Sequence, residues 1–122
     1  MEKRKFTRVD QRVSVNAIVV DPSDDKTLFK LDPVWSKDVG GNGLGLVTSV
    51  HCRVGAVMDL EFQLPTREGP VHAKGRVVWS KLGDNDKEYR IGVAFYSISD
   101  EDRDAIVRYV NVEAGKASRK GV

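Results

Sequence analysis

Short stretches in which apolar and polar side chains alternate occupy much of residues 13–96, and this pattern constrains the fold more than any other feature. In residues 57–64, 71–79 and 89–95, every second position is apolar or glycine. Such alternation is typical of half-buried β-strands, and turn residues separate the stretches at short intervals. The pattern predicts roughly six antiparallel strands in a barrel or sandwich. Because no helix alternates with these strands, a Rossmann or P-loop domain is disfavoured.

The periodicity changes from strand-like to helical near the C-terminus. Ser99 is followed three residues later by Asp102, with acidic residues between them, which is typical of a helix start. Apolar and polar residues from Ala105 to Glu113 then recur on one face at helical spacing. Gly115 is a typical stop signal. These signals predict a single helix from about Asp100 to Ala114.

We divide the chain into three parts on this basis. Residues 1–12 form a polar, flexible N-terminal arm, and residues 13–114 form the β-barrel with its C-terminal helix. Residues 115–122 form a basic tail that we expect to be disordered. The chain has 122 residues, of which 40% are apolar and 31% charged, so it can build a real core as one domain.

Charge and cysteine content narrow the class of protein. The net charge of +2 is too small to indicate bulk nucleic-acid binding. A single cysteine, Cys52, cannot form an internal disulfide and suits a reducing compartment. No apolar run is long enough to cross a bilayer, and no signal-peptide pattern follows the charged N-terminus. We therefore expect a cytoplasmic protein without membrane insertion.

Two short motifs carry the chemistry. Arg4 and Arg8 form an RxxxR pair in the basic arm, and forked guanidinium groups bind phosphate or a guanine edge. Asp38, Gly40 and Gly43 form a second motif, in which a carboxylate precedes a glycine-rich turn. Glycines allow positive φ and close approach of the backbone to a ligand. Taken singly, the motifs also fit a solvated basic arm and an ordinary hairpin loop.

Together and in this order, the motifs resemble those of the PilZ domain, a small bacterial β-barrel that binds cyclic di-GMP. The family pattern is RxxxR in the N-terminal segment, followed downstream by [D/N]xSxxG. Further similarity lies in residues 43–46, 75–79 and 91–95 and in the final helix. The resemblance covers nearly all of residues 3–112. It implies a six-stranded antiparallel PilZ-type β-barrel with a C-terminal α-helix and a flexible basic arm.

The resemblance also implies roles for individual residues. Arg4 and Arg8 would clamp the ligand's phosphates and guanine edges, and Asp38 would accept hydrogen bonds from a guanine N–H face. Gly40 and Gly43 would let the turn approach the ligand.

Two further positions match the family with less defined roles. Trp79 would stack on guanine, although a core tryptophan at an inward strand position fits the alternation as well. Lys3 precedes the arginine pair at a position that influences whether one or two ligand molecules are held, and lysine leaves this number open.

One position departs from the family pattern, because Gly40 replaces the serine of the second motif. Without the hydroxyl, one hydrogen bond to a charged group is lost, which costs about 1.5–3 kcal/mol. That is roughly a tenfold to hundredfold loss of affinity. We expect weaker binding rather than none.

The sequence leaves three functions open. The first is a cyclic di-GMP receptor that orders its arm on binding and signals to an unidentified downstream protein. It would be a binding module and not an enzyme, with no cofactor besides the ligand, and another cyclic dinucleotide such as cyclic GMP-AMP would satisfy the same motifs. The second is a ligand-silent PilZ-like adaptor acting only through protein contacts. The third is a nucleic-acid-binding barrel, which would need exposed aromatic platforms.

Three expectations concern metal, chemistry and assembly. His51, Cys52 and His72 lack the spacing of a zinc site, so we expect no metal. No nucleophile lies beside a base in the sequence pattern. We expect a monomer or a homodimer.

Overall fold

The computed structural model describes residues 8–32, 34–85 and 87–120. Within them lie eight strands and one helix. They are β1 (Arg8–Val9), β2 (Val15–Val20), β3 (Thr27–Leu31), β4 (Val34–Gly40), β5 (Gly43–Thr48), β6 (Val57–Phe62), β7 (Val71–Leu82), β8 (Tyr89–Ile98) and α1 (Asp100–Lys120).

All eight strands belong to one antiparallel sheet with the order β1-β4-β5-β8-β7-β6-β2-β3. The sheet curls so that the segment preceding β2 returns to β4. There, Ser14 and Trp35 form an isolated antiparallel bridge, and the Ser36 N–H donates to the Val13 carbonyl at 2.9 Å. Ser36 Oγ also accepts from the Val13 N–H and donates to the Gln11 carbonyl.

The mainly β fold with one C-terminal helix is confirmed, but two details of the prediction are wrong. In the described part of the chain the sheet has eight strands rather than six, and continuous strand pairing does not close it. The stretch from Thr27 to Val39, predicted as one extended segment, is divided into β3 and β4, and β3 pairs with β2. The other additional strand is β1, which pairs with β4.

Apolar side chains from one face of the curved sheet form a single core. Leu44, Leu46, Met58, Ile91 and Val93 are fully buried there. Helix α1 covers the core with Ile106, Tyr109 and Val110, which lie on the face predicted from the sequence.

Helix α1 begins as predicted and ends later than predicted. Ser99 Oγ accepts from the Asp102 N–H at 3.0 Å, which caps the first turn. The helix continues to Lys120, past the expected end at Ala114. Gly115 is exposed on the helix surface, where glycine costs only about 1 kcal/mol relative to alanine. In the part of the chain that the structure describes, we find no helix with the length and hydrophobicity needed to span a bilayer.

Candidate functional site

A β-bulge in β4 turns Asp38 toward the outside of the sheet. Ser36 pairs with Leu46 and Asp38 with the adjacent Gly45, so Lys37 is an extra residue on its strand. Unbroken alternation from the buried Ser36 would have directed Asp38 into the core. Because of the extra residue, Val39 fills the core instead, and the Asp38 carboxylate lies on the outer face.

A second bulge, in β7, turns Trp79 toward the outside of the sheet. Val77 pairs with Val93 and Trp79 with the adjacent Gly92, so Val78 is the extra residue. Val77 is buried, whereas Trp79 is 42% exposed. The reading of Trp79 as an inward core residue, which followed from alternation through residues 71–79, is therefore wrong, because the bulge reverses the phase of the strand.

The two bulges place Asp38 and Trp79 in one row across four neighbouring strands. Asp38 pairs with Gly45, Gly45 with Gly92, and Gly92 with Trp79. Side chains lean over both glycines: a Cβ on Gly45 would lie 2.8 Å from Asp38 Oδ2, and one on Gly92 would collide with the Trp79 indole. Gly45 and Gly92 thus form a glycine floor against which a carboxylate and an indole pack closely.

Arg8, in β1, contacts Asp38 at the edge of the glycine floor. Its Nη1 donates to Asp38 Oδ1 at 2.8 Å, and the two side chains are 17% and 25% exposed. Its other terminal nitrogen, Nη2, lies 2.8 Å from the position of a Cβ on Gly43. The pairing of Arg8 with Gly40 and of Gly40 with Gly43 produces this placement. The structure therefore brings together Arg8, Asp38, Gly40 and Gly43.

Gly43 of the second motif serves close packing rather than an unusual backbone conformation. In the described chain, glycines with positive φ are Gly55 and Gly69, and neither belongs to the motif. A Cβ on Gly43 would collide with the Val93 carbonyl oxygen and crowd the Arg8 guanidinium. Gly43 is needed because the strands and the arginine approach closely.

A recess of about 200 Å³ opens beside the glycine floor. It is lined by Asp10, Lys37, Asp38, Gly45, Leu46, Trp79, Lys81 and Arg90. Lys81 Nζ lies 5.6 Å from the centre of the Trp79 ring, within the range of a cation–π contact. Arg90 Nη2 bonds Asp84 Oδ2 at 2.6 Å. An indole face, two carboxylates and three cationic side chains thus surround a small opening.

Three buried polar side-chain atoms of the described residues lack a hydrogen-bond partner: Arg8 Nε, Asn42 Oδ1 and Ser80 Oγ. Arg8 is a motif residue and Asn42 lies in the glycine turn. Ser80 pairs with the buried Ile91 and therefore lies on the opposite face of the sheet from Trp79. An unsatisfied buried polar group costs about 1–3 kcal/mol, so such groups usually have a role.

Some predicted site residues are not described by the structure, and some residues that line the recess were not predicted. Arg4 and Lys3 lie outside the described residues. Sequence reasoning missed Lys37, Lys81 and Arg90, because exposed basic residues on strands carry no distinctive pattern. Gly45 and Gly92 belong to segments that resemble the family, but the resemblance gave them no role. Their alternation with core residues could have indicated that they lie on the outer face of the sheet.

A larger concave surface, of about 760 Å³, lies elsewhere, over β2, β6 and β7. Its charged groups are largely paired within the protein: His72 Nδ1 lies 3.5 Å from Glu61, Lys74 bonds Asp25 at 3.0 Å, and Asp102 bonds Arg67 at 2.6 Å. Among residues with described positions, no group of three or more His, Cys, Asp or Glu side chains is arranged for a metal ion.

Comparison with known proteins agrees with this fold. The family model for the PilZ domain matches residues 2–111. The chain therefore belongs to the PilZ domain family. A comparison with curated protein sequences found no significant match.

Solved structures share the fold at low sequence identity. The inhibitor of motility MotI/DgrA of Bacillus subtilis has a TM-score of 0.75 at 15% identity, over 95% of this chain and 53% of that chain. The PilZ domain of Escherichia coli YcgR with c-di-GMP has 0.61 at 13%, over 98% and 99%. The MrkH–c-di-GMP complex of K. pneumonia has 0.67 at 17%, over 98% and 56%. The chain thus spans about half the length of MotI/DgrA and MrkH.

Proposed function

We propose that this protein is a receptor module for cyclic di-GMP. The observation that carries the proposal is the meeting of Arg8 and Asp38, which lie thirty residues apart in sequence, on a glycine floor that ends at Trp79. The ligand's chemistry suits each group: guanine offers N–H donors to a carboxylate, a flat face to an indole, and phosphates to a guanidinium. Membership of the PilZ family supports the same ligand.

One guanine base would occupy the recess between Asp38 and Trp79. A carboxylate has about four lone-pair positions, so Asp38 can keep its bond to Arg8 while accepting from guanine. The recess of about 200 Å³ is smaller than the roughly 300–1,000 Å³ typical of sites for whole ligands. The rest of the dinucleotide would therefore extend over the glycine floor toward the N-terminal arm.

The phosphates would lie near Arg8 and the glycine turn. Arg8 Nε is buried without a partner, and a phosphate or guanine oxygen would satisfy it. Arg4 would supply the second guanidinium from the arm, and Lys3 would influence whether one or two ligand molecules are held. Gly40, which lacks the family's serine hydroxyl, would reduce affinity.

Binding would order the arm and change the surface presented to a downstream protein. On this proposal the protein acts in the cytoplasm as a binding module rather than an enzyme, as a monomer or a homodimer. Residues 1–12 would serve as the arm and residues 13–114 as the sheet with its helix, whereas residues 115–120 of the predicted basic tail continue helix α1 and are not disordered. Arg8 and Val9 already pair with β4, so ordering would extend an existing strand contact.

A second candidate, a ligand-silent adaptor, is favoured by the existing ion pair. Arg8 and Asp38 are already paired at 2.8 Å, and Gly40 offers no hydroxyl. A protein with these two features can retain the PilZ fold and act only through protein contacts. The nucleic-acid alternative has less support, because Phe95 is buried and Tyr89 packs edge-on against His51, so that Trp79 is the exposed one of its three candidate aromatic residues.

Calorimetric titration of cyclic di-GMP tests the proposal. The variants are Arg8→Ala and, as a matched control, Arg12→Ala, whose guanidinium stacks on Trp35 at 4.6 Å instead of reaching Asp38. We expect the wild type and Arg12→Ala to bind alike and Arg8→Ala to lose at least tenfold in affinity. An absence of binding by the wild type at high micromolar ligand would favour the adaptor. Parallel titration of cyclic GMP-AMP distinguishes the two dinucleotides.

A further inference from the structure

Helix α1 is bonded to both halves of the candidate site. Arg103 Nε donates to the carbonyl oxygen of Gly41 at 3.1 Å, in the turn between β4 and β5. Further along the same helix, Glu113 Oε2 accepts a hydrogen bond from Gln11 Nε2 at 3.2 Å, close to the strand that carries Arg8. The helix thus contacts the glycine turn and the base of the arm, although it contributes no residue to the recess.

The glycine turn is held from two sides. Gly41 and Asn42 form the turn between the paired residues Gly40 and Gly43. On one side the Phe95 N–H of β8 donates to the Asn42 carbonyl oxygen at 2.9 Å. On the other side Arg103 holds Gly41. In addition to the pairing of Gly40 with Gly43, one bond from the sheet and one from the helix therefore hold the turn.

The start of the helix is fixed firmly enough to place the Arg103 side chain. Asp102 accepts from Arg67 Nη1 at 2.6 Å and from the His72 N–H at 3.1 Å. The Arg103 N–H itself donates to the Ser99 carbonyl at 2.9 Å. The two bonds of Asp102 anchor the first turn of the helix to β7 and to the loop after β6.

We propose that Arg103 is a positioning residue for the glycine turn and that it couples helix α1 to ligand binding. A ligand that displaces Gly40 or Gly43 would change the hydrogen bond between Gly41 and Arg103, so the helix would respond to ligand binding. By linkage, if ligand binding changes the affinity of the helix for a partner, that partner changes the affinity for the ligand by the same factor. The coupling to ligand rests on the proposed function, whereas the positioning of the turn does not.

Three variants test this role. Arg103→Ala removes the donor, and Arg103→Lys retains a cation that can reach the same carbonyl. Arg108→Ala removes an exposed arginine from the same helix, so it serves as the matched control. Amide spectra of the ligand-free proteins report on the turn, and calorimetry with cyclic di-GMP reports on the coupling. Circular dichroism checks that each variant is folded.

We expect Arg103→Ala to shift the amide resonances of Asn42 and Gly43 without ligand and to weaken cyclic di-GMP binding about tenfold. Arg103→Lys should recover most of both effects, and Arg108→Ala should show neither. Unchanged turn resonances in Arg103→Ala, or no recovery in Arg103→Lys, would overturn the positioning role. Shifted resonances with unchanged affinity would overturn the coupling, and a wild type that binds no ligand would refute the proposed function while the ligand-free spectra still decide the positioning.

Discussion

Asp38 accepts a hydrogen bond from Arg8 at 2.8 Å, and this contact joins the two sequence motifs on the outer face of the sheet. The pair is partly exposed, with side chains 17% and 25% accessible, and it lies outside the apolar core. Ion pairs of this kind add little to stability, typically about 0–1 kcal/mol. The contact is therefore better explained by what it positions than by what it stabilises, and variants of Arg8 should remain folded.

Restoring the family's serine should strengthen ligand binding. We predict that Gly40→Ser raises the affinity for cyclic di-GMP by roughly tenfold to a hundredfold, since one hydrogen bond to a charged group is worth about 1.5–3 kcal/mol. Calorimetry measures the change. Gly40→Ala is the control, because it adds the Cβ without the hydroxyl. Equal affinities for the two variants would show that the hydroxyl contributes nothing here.

Tryptophan fluorescence should report the ligand through Trp79 alone. The chain has two tryptophans, and only Trp79 lines the recess. Stacking of guanine on the indole should quench its emission. We predict that cyclic di-GMP quenches Trp35→Phe, which retains Trp79, and leaves the emission of Trp79→Phe unchanged. The reverse pattern would place the ligand near Trp35 instead.

A methyl group on the glycine floor should displace the indole. A Cβ on Gly92 would collide with the Trp79 ring, which is exposed enough to swing away. We predict that Gly92→Ala remains folded, changes the near-ultraviolet circular dichroism, and weakens cyclic di-GMP about tenfold, as loss of one stacked base costs about 1–3 kcal/mol. Retained affinity with a shifted indole would exclude stacking on Trp79.

Stability at low pH should depend on Asp102. Burial acts to raise the pKa of this carboxyl, but the His72 N–H and the Arg67 guanidinium outweigh burial and leave the pKa lowered. Because the folded pKa lies below the unfolded value, the carboxylate stabilises the protein above about pH 4, and this contribution is lost as pH falls through the folded pKa.

We predict that Asp102→Asn lowers the free energy of unfolding by about 1–3 kcal/mol at pH 7 and reduces the loss of stability on acidification. Urea denaturation at neutral and acidic pH measures both effects. Asp104→Asn, an exposed carboxylate on the same helix, is the control and should leave the neutral stability nearly unchanged. Equal behaviour of the two variants would refute the role of Asp102.

A stabilising substitution should be possible at Gly115. It is exposed within helix α1, and a Cβ there would have no neighbouring atom within 4 Å. Alanine restricts the unfolded chain and favours the helix, so we predict that Gly115→Ala raises the free energy of unfolding by about 0.5–1 kcal/mol. Thermal denaturation checks this, and a lower melting temperature would show that the helix ends before this position.

The sequence predicted the core strands because alternation directly reflects which face of a strand is buried. Val71, Ala73 and Val77 point inward as their spacing indicates. The same rule failed at Trp79, because Val78 forms a bulge without any glycine or proline to mark it. It also gave no indication of β1, whose two residues pair with β4 inside a stretch that looks like a polar arm.

The candidate site was predictable only where a motif marked it. Arg8 and Asp38 were identified from their motifs, and the structure places them in contact. Lys81 and Arg90 line the recess through strand pairing, which single-sequence spacing does not encode. Arg103 reaches the glycine turn across the fold, and the sequence shows it only as one more polar helix residue.

Because Lys37 forms a bulge, the face on which Asp38 lies depends on whether the number of residues between Val34 and Asp38 is odd or even. Loss of one residue between Val34 and Asp38 would send the carboxylate into the core and expose an apolar side chain in its place. Loss of two residues would preserve the orientation of both. The length of this strand segment is therefore under a stricter constraint than its composition, and single-residue length changes here should abolish the site in otherwise similar chains.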